Sequence, residues 1–209
     1  MSTLFTFEGI EGSGKSTHAA GLAEALRGDG FDVVLTHEPG GTELGRAIRG
    51  LLLDEKTPAP GAETELLLYL ADRAEHIRRV IRPALERGAV VIADRFSAST
   101  LAYQGYGRGL PLQQIEALES FARGDIEPAL TFLLDLPVTR GLERARGTGP
   151  GDRMEREALA FHERVQAGFH ALAALQATRM VHIDASQPLD DVAREVTTHA
   201  RAPLRSQAR

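Results

Sequence analysis

Nine residues near the N-terminus, Gly9-Ile10-Glu11-Gly12-Ser13-Gly14-Lys15-Ser16-Thr17, set three glycines, a lysine and three hydroxyls at the spacing G-x-x-x-x-G-K-S. Chance yields that pattern in on the order of one chain in a hundred of this length. Its chemistry is the grip of a polyphosphate. Glycines let backbone N–H groups wrap an anion, Lys15 neutralises β and γ oxygens, and the Ser16 hydroxyl suits Mg²⁺. Thr17 is read as a helix residue close to those phosphates. A compact ammonium reaches between phosphates where a planar guanidinium would not fit. Lys15 is conspicuous for that reason, because Lys56 is the only other lysine and every remaining basic residue apart from histidine is an arginine. Asp94 closes the apolar run Ala89-Val90-Val91-Ile92-Ala93, so its carboxylate is expected beside the loop as the second metal-side group. Arg95 follows directly, and Arg49 follows the Glu38-Pro39-Gly40-Gly41-Thr42 stretch. Two guanidiniums near one edge suit a second phosphate, held by planar bidentate contacts.

Such residues need a scaffold that brings loops to one edge. Strand-like apolar runs occur at Leu4–Phe7, Val33–Leu35, Ala89–Ala93, Leu130–Leu134 and Met180–Ile183. Helical periodicity lies between them, at about Lys15–Arg27, Glu43–Leu53, Glu63–Val80, Pro111–Arg123, Pro137–Arg146, Glu155–Ala177 and Leu189–Ala200. Alternating strand and helix predict an α/β fold, a parallel sheet with helices on both faces. At 209 residues one domain, 1–209, is expected. Gly and Pro mark 57–61 and 147–151 as mobile connections, and a tail from about 202 to 209 is expected to fray.

Composition narrows the function classes. Net charge is -5, which argues against a surface that coats nucleic acid and favours small-molecule partners. No window approaches the roughly 18 apolar residues of a membrane span. The N-terminus has no basic region ahead of an apolar core, so no membrane partner and a cytoplasmic location are expected. Without cysteine there is no disulfide, thiolate metal site or cysteine nucleophile. The triphosphate grip leaves a switch GTPase, a motor, a transferase or a non-catalytic binding module open. An Asn-Lys-x-Asp guanine-reading motif is missing, the length leaves little room for a motor's accessory parts, and a pure binder needs no second phosphate cradle.

Four further stretches, HEPGGTELGRAIRGLLLD, LLYLADRAEH, VVIADRFSASTLAYQGYGRGL and GDRMEREA, resemble in order the motif series of thymidylate kinases. That resemblance implies a P-loop nucleoside-monophosphate kinase fold with a five-stranded parallel sheet, ATP as phosphoryl donor, dTMP as acceptor, Mg²⁺ and a homodimer. It implies that Gly9 to Thr17 bind ATP, with Ser16 and Asp94 on the metal side and Lys15, Arg95 and Arg153 in catalytic roles. Arg49 and Arg95 would clamp the dTMP phosphate. Tyr69 would stack on thymine and Arg73, one turn on, would reach a base carbonyl. Thr100, Tyr103 and Gln104 would border base and sugar, Tyr103 discriminating deoxyribose from ribose. Glu11 would approach the 3′-hydroxyl, and Glu38 would belong to the acceptor site. Kinases for dUMP, CMP or GMP remain the neighbouring alternatives; an apolar pocket tells thymine from uracil by only ~1–3 kcal/mol.

In one form of the family the phosphate loop carries an arginine, whereas its variable positions here are Ile10, Glu11, Gly12 and Ser13. The resemblance then shifts the catalytic cation to a lid at about 141–156, where Arg144, Arg146, Arg153 and Arg156 surround the glycine-rich segment. Arg153 would meet the transferred group, and Arg144 would lie near adenine.

Overall fold

The structure, a computed structural model, describes residues 3–147 and 151–207. Five parallel strands form one sheet: β1 (Thr3–Glu8), β2 (Val33–His37), β3 (Val90–Asp94), β4 (Leu130–Asp135) and β5 (Met180–Asp184), in the order β2-β3-β1-β4-β5. Central β1 is buried along its whole length, as an apolar strand covered on both faces must be. Phe5 and Phe7 face the larger core cluster with Phe132 and Leu134, while Leu4 joins Ile77, Ile81 and Val91 in the smaller one. Period-two alternation of one strand thus feeds both layers.

The order turns at β1, which pairs with β3 on one side and β4 on the other. Ligands of open α/β sheets bind outside the carboxyl ends of strands at such a reversal. The loop after β1 leads into α1 (Lys15–Gly28), whose cap residue Gly14 has φ 90° and gives no side-chain cap. The first-turn N–H groups are therefore left for an anion. α2 (Glu43–Leu53) is capped conventionally, Thr42 Oγ1 accepting from the Gly45 N–H at 2.9 Å. α3 (Ala62–His76) packs on α2 and continues through a π-helical turn, Ile77–Ile81, into the short α4 (Arg82–Glu86).

Three regions differ from the sequence expectation. Residues 97–107, not assigned to any helix above, form α5 (Ser97–Thr100) and a π-helical run, Leu101–Gly107. Ser, Thr and Gly make that stretch a poor intrinsic helix, and packing of α8 (Leu159–Leu175) on it supplies what propensity does not. α8 itself begins at Leu159 rather than Glu155, because Asp152 Oδ1 accepts the Met154 and Glu155 N–H groups at 2.9 and 3.0 Å and the chain runs as turns over 153–156. α6 (Leu112–Arg123) packs on α3, and α7 (Val138–Arg146) follows β4 and packs on α8. α9 (Leu189–Gln207) takes in the residues read as a frayed tail, with Leu204 buried; residues 208–209 lie outside the described residues.

Candidate active site

A cleft of about 440 Å³ opens at the carboxyl edge of the sheet, over the reversal point. Its lining unites Lys15, Ser16 and Asp94 with Arg49, Tyr69, Arg73, Arg95, Thr100 and Tyr103. The phosphate loop forms one wall. Gly12 has φ 69°, and a Cβ there would stand 2.0 Å from the Gly141 carbonyl of α7, so glycine is required by conformation and by space. Lys15 Nζ donates to the Ile10 carbonyl at 2.7 Å and lies 3.4 Å from Ser13 Oγ. Burial, joined by the Arg95 charge, pulls its pKa down to about 8. The Ser16 hydroxyl donates to Asp94 Oδ2. A hydroxyl and a carboxylate meeting at a strand end are hard oxygen donors, a set that fits Mg²⁺.

The opposite wall is a buried side-chain network. Arg73, 2% exposed, donates through Nε to Glu38 Oε2 at 2.8 Å and through Nη1 to Thr100 Oγ1 at 2.7 Å, and pairs with Glu119 of α6. Its guanidinium lies over the Phe96 ring. His76 bridges Glu38 Oε1 at 2.8 Å and Thr36 Oγ1 at 2.6 Å. Glu38 is joined to Pro39 by a cis peptide bond. Burial alone would raise the Glu38 pKa, yet the Arg73 charge and His76 hold it below the carboxylate norm. Arg49, by contrast, is exposed; it gives one bond to the Pro39 carbonyl at 2.9 Å and keeps donors for the cleft.

Arg95 and Glu11 join the walls. Arg95 has φ 72°, which is strained for a residue with a Cβ, and its N–H is fixed to the Phe7 carbonyl at 2.9 Å. The turn directs its guanidinium to the Gly9 carbonyl at 3.2 Å, Ser99 Oγ at 3.1 Å and Glu11 Oε1 at 3.2 Å, across the Tyr103 ring. Tyr103 donates its hydroxyl to Glu11 Oε1 at 2.6 Å. Burial would push the Glu11 carboxyl up, but the adjacent His162 ring, the Arg95 and Lys15 charges and the Tyr103 hydroxyl outweigh it and hold the pKa at about 2. Glu8, at the end of β1, accepts from the Phe96 N–H at 2.8 Å and the Ser99 hydroxyl at 2.5 Å. There burial prevails and raises the pKa to about 7.

The described residues of the expected lid are arranged differently from the walls. Asp152, Met154 and Glu155 line the cleft, whereas Arg153 does not. Arg153 Nε donates to the Leu52 carbonyl at 2.7 Å and its other end to Glu65 Oε2 at 2.7 Å. Glu65 also holds Arg108 and Gln104 Nε2 at 2.8 Å. Arg144 donates to the Ala185 carbonyl at 3.2 Å, beyond the end of β5, and Arg156 pairs with Glu55. Thr17 is exposed on the first turn of α1. Residues 148–150 of the expected lid lie outside the described residues.

Sequence reasoning overlooked Glu8, Glu65, Glu119 and His162. His162 is fully enclosed, its Nδ1 3.3 Å from Glu11 Oε2 without hydrogen-bond alignment. Glu119 beside Ile115 on α6, and His162 beside Val165 on α8, are polar residues among buried apolar ones, and that mismatch was the available signal for those two.

Three comparisons bear on this geometry. The family model described as thymidylate kinase matches residues 7–196. A thymidylate kinase of Desulfovibrio desulfuricans is 52% identical over 98% of this chain and 97% of its own, and one of Pseudomonas fluorescens is 54% identical over 92% of each. The crystal structure of thymidylate kinase from Ehrlichia chaffeensis superposes with TM-score 0.80 at 35% identity, covering 96% of this chain and 98% of that one.

Proposed function

The chain belongs to the thymidylate kinase family of nucleoside-monophosphate kinases, and from that premise we propose which residues carry each part of its phosphoryl transfer. The reaction moves the γ-phosphoryl group of ATP to dTMP, giving ADP and dTDP on the route to dTTP. One observation carries the assignment: a single cleft is lined by Lys15, Ser16 and Asp94 on the donor side and by Arg49, Arg95, Tyr69 and Arg73 on the acceptor side.

On the donor side, Gly9, Ile10, Glu11, Gly12, Ser13, Gly14, Ser16 and Thr17 wrap the ATP phosphates, and Lys15 leaves the Ile10 carbonyl to neutralise β and γ oxygens. Arg144 lies near adenine. Ser16 and Asp94 hold Mg²⁺, which, when bound, supplies positive charge at the transferred group. On the acceptor side Arg49 and Arg95 clamp the dTMP phosphate, Tyr69 stacks on thymine, and Arg73 presents one edge of its anchored guanidinium to the base with Thr100 and Gln104 beside it. Tyr103 borders the 2′ position and Glu11 the 3′-hydroxyl; Glu38 fixes Arg73.

The nucleophile is a dTMP phosphate oxygen. A phosphate monoester with second pKa about 6 is largely dianionic near neutrality, so no strong general base is needed. Repulsion between two anions is the obstacle, and it is met by positioning and by Lys15, Arg95 and Arg153. Arg153 reaches the transferred group by exchanging Glu65 for phosphate as the lid shuts, a motion that also excludes water.

The enzyme acts in the cytoplasm as a homodimer; support for the dimer is the exposure of Leu44 and Leu51 on α2, Leu67 on α3, and Leu118 and Phe121 on α6, three helices packed side by side. Sedimentation velocity is expected to give twice the 22.6 kDa chain mass. Coupled ADP release with dTMP, dUMP, CMP and GMP tests the acceptor: dTMP is expected to give the highest kcat/KM, and faster turnover of CMP or GMP overturns the assignment. Among the described residues no helix is long and apolar enough to cross a membrane.

A further inference from the structure

Away from the cleft, three potential metal-binding side chains converge at the outer edge of the sheet. Asp135 is the last residue of β4, His182 lies in β5, and His170 lies on α8. The parallel register sets Leu133 opposite His182 and Asp135 opposite Asp184. Residues two apart share a sheet face, so Asp135 and His182 stand on the same face as diagonal neighbours. α8 packs over β5, and its His170 completes the group. His170 Nε2 lies 2.9 Å and His182 Nε2 3.0 Å from the same oxygen, Asp135 Oδ2, and the candidate ligand atoms all fall within 4.8 Å of one another.

We propose that Asp135, His170 and His182 form a surface site for one divalent transition metal of the Zn²⁺ and Co²⁺ class. Two imidazoles and one carboxylate are the donor set that suits such ions, whereas Mg²⁺ prefers oxygen alone. At metal–ligand distances of about 2.1 Å, adjacent donors around an octahedral ion stand about 3.0 Å apart, close to the two nitrogen-to-oxygen spacings found here. Each ring binds through its Nε2 lone pair, carrying its remaining proton on Nδ1. Gln166, one helical turn before His170, donates to Asp135 Oδ1 at 2.9 Å and to the Leu136 carbonyl at 2.9 Å, so the carboxylate is oriented from behind while Oδ2 stays turned to the histidines. The rings are 48% and 53% exposed, which leaves room for water at the open positions. The ion would pin α8 to β4 and β5. α8 is the helix whose Phe161 and Phe169 rings pack edge-on against Tyr103, so the clamp lies at the back of the acceptor wall.

The test is titration of the chelator-stripped full chain with Co²⁺ alone, followed by visible absorption. One equivalent per chain is expected, displaced by Zn²⁺. His170→Gln and His182→Gln are each expected to weaken binding at least ~10-fold, and His199→Gln, at an exposed position on α9, to leave it unchanged. All three variants are expected to keep wild-type kinase activity with Mg²⁺ and ATP, because none lines the cleft, and that activity shows them folded. At 100 times Kd, Zn²⁺ is expected to raise Tm by about 5–10 °C in the wild type and not in the His170→Gln/His182→Gln double variant. Absence of saturable binding overturns the proposal, as does binding undiminished by His182→Gln, which would put the ion at Ser16 and Asp94 or elsewhere.

Discussion

The two walls of the cleft are made of different material. The phosphate loop is built from backbone: glycine conformations, N–H groups at the start of α1 and a lysine resting on a carbonyl from its own loop. The wall we assign to the acceptor is built from side chains of distant segments, with Arg73 of α3 locked between Glu38 and Glu119 and bonded to Thr100, and His76 bonded to Thr36. A backbone cradle can lose one functional side chain and keep its shape. A buried ionic network cannot, because each group that stays behind is left charged in a low dielectric.

The sharpest way to break this contrast is Lys15→Ala. It is expected to lower kcat by at least about 10³-fold while Tm stays near the wild-type value, since the glycine-built loop persists. Retained turnover would remove Lys15 from the donor site, and a collapse of Tm would mean that the loop depends on its lysine. Arg73→Ala is expected to do the opposite. Stranding Glu38 and Glu119 is expected to destabilise the fold by about 3–5 kcal/mol, a fall in Tm of roughly 6–20 °C. Exposed Arg49→Ala is expected to change stability by less than about 0.5 kcal/mol and to act on the KM for dTMP instead. Equal stability losses for the two arginines would erase the distinction between anchored and free guanidiniums.

Arg153→Ala tests the proposed lid, whose arginine is held here by the Leu52 carbonyl and Glu65. A fall in kcat of about 10²-fold is expected with the KM for dTMP within about twofold. Unchanged kcat would assign the mobile cation to another lid arginine.

The same division explains what the sequence made legible. Gly9 to Ser16 could be read because backbone chemistry is local: glycine spacing and a following helix suffice. Asp94 and Arg95 could be placed because a strand's end fixes where the next residues emerge. Glu119 and Glu65 could not, since each serves arginines some forty residues or more away and looks from sequence like a solvated helix charge. The 97–107 helix was missed for a related reason, its stability arising from contact with α8 and not from its own residues. Arg153 was singled out by the motif it belongs to, but its pairing with Glu65 is a tertiary fact that spacing does not encode.

A pH-dependent effect concerns the joint between the walls, where two carboxylates on one short segment are driven apart. Glu11 is held at about 2 and Glu8 raised to about 7. Glu11 therefore contributes stability above the ordinary carboxylate value, lost only as pH falls toward 2. Glu8 has the opposite sign. Between its unfolded value of 4.5 and its folded value of about 7 the native chain keeps a proton that the unfolded chain releases, so stability is fullest below 4.5 and declines as pH rises through 7. Glu8→Gln removes that titration while leaving an oxygen to accept from Phe96 or Ser99. Urea unfolding of both proteins between pH 5 and 7 is expected to show the wild type losing on the order of 2 kcal/mol relative to the variant. A pH-independent difference would mean that Glu8 is ionised throughout. The charges of Arg95 and Arg73 would then dominate its burial, and the joint would belong electrostatically to the acceptor wall.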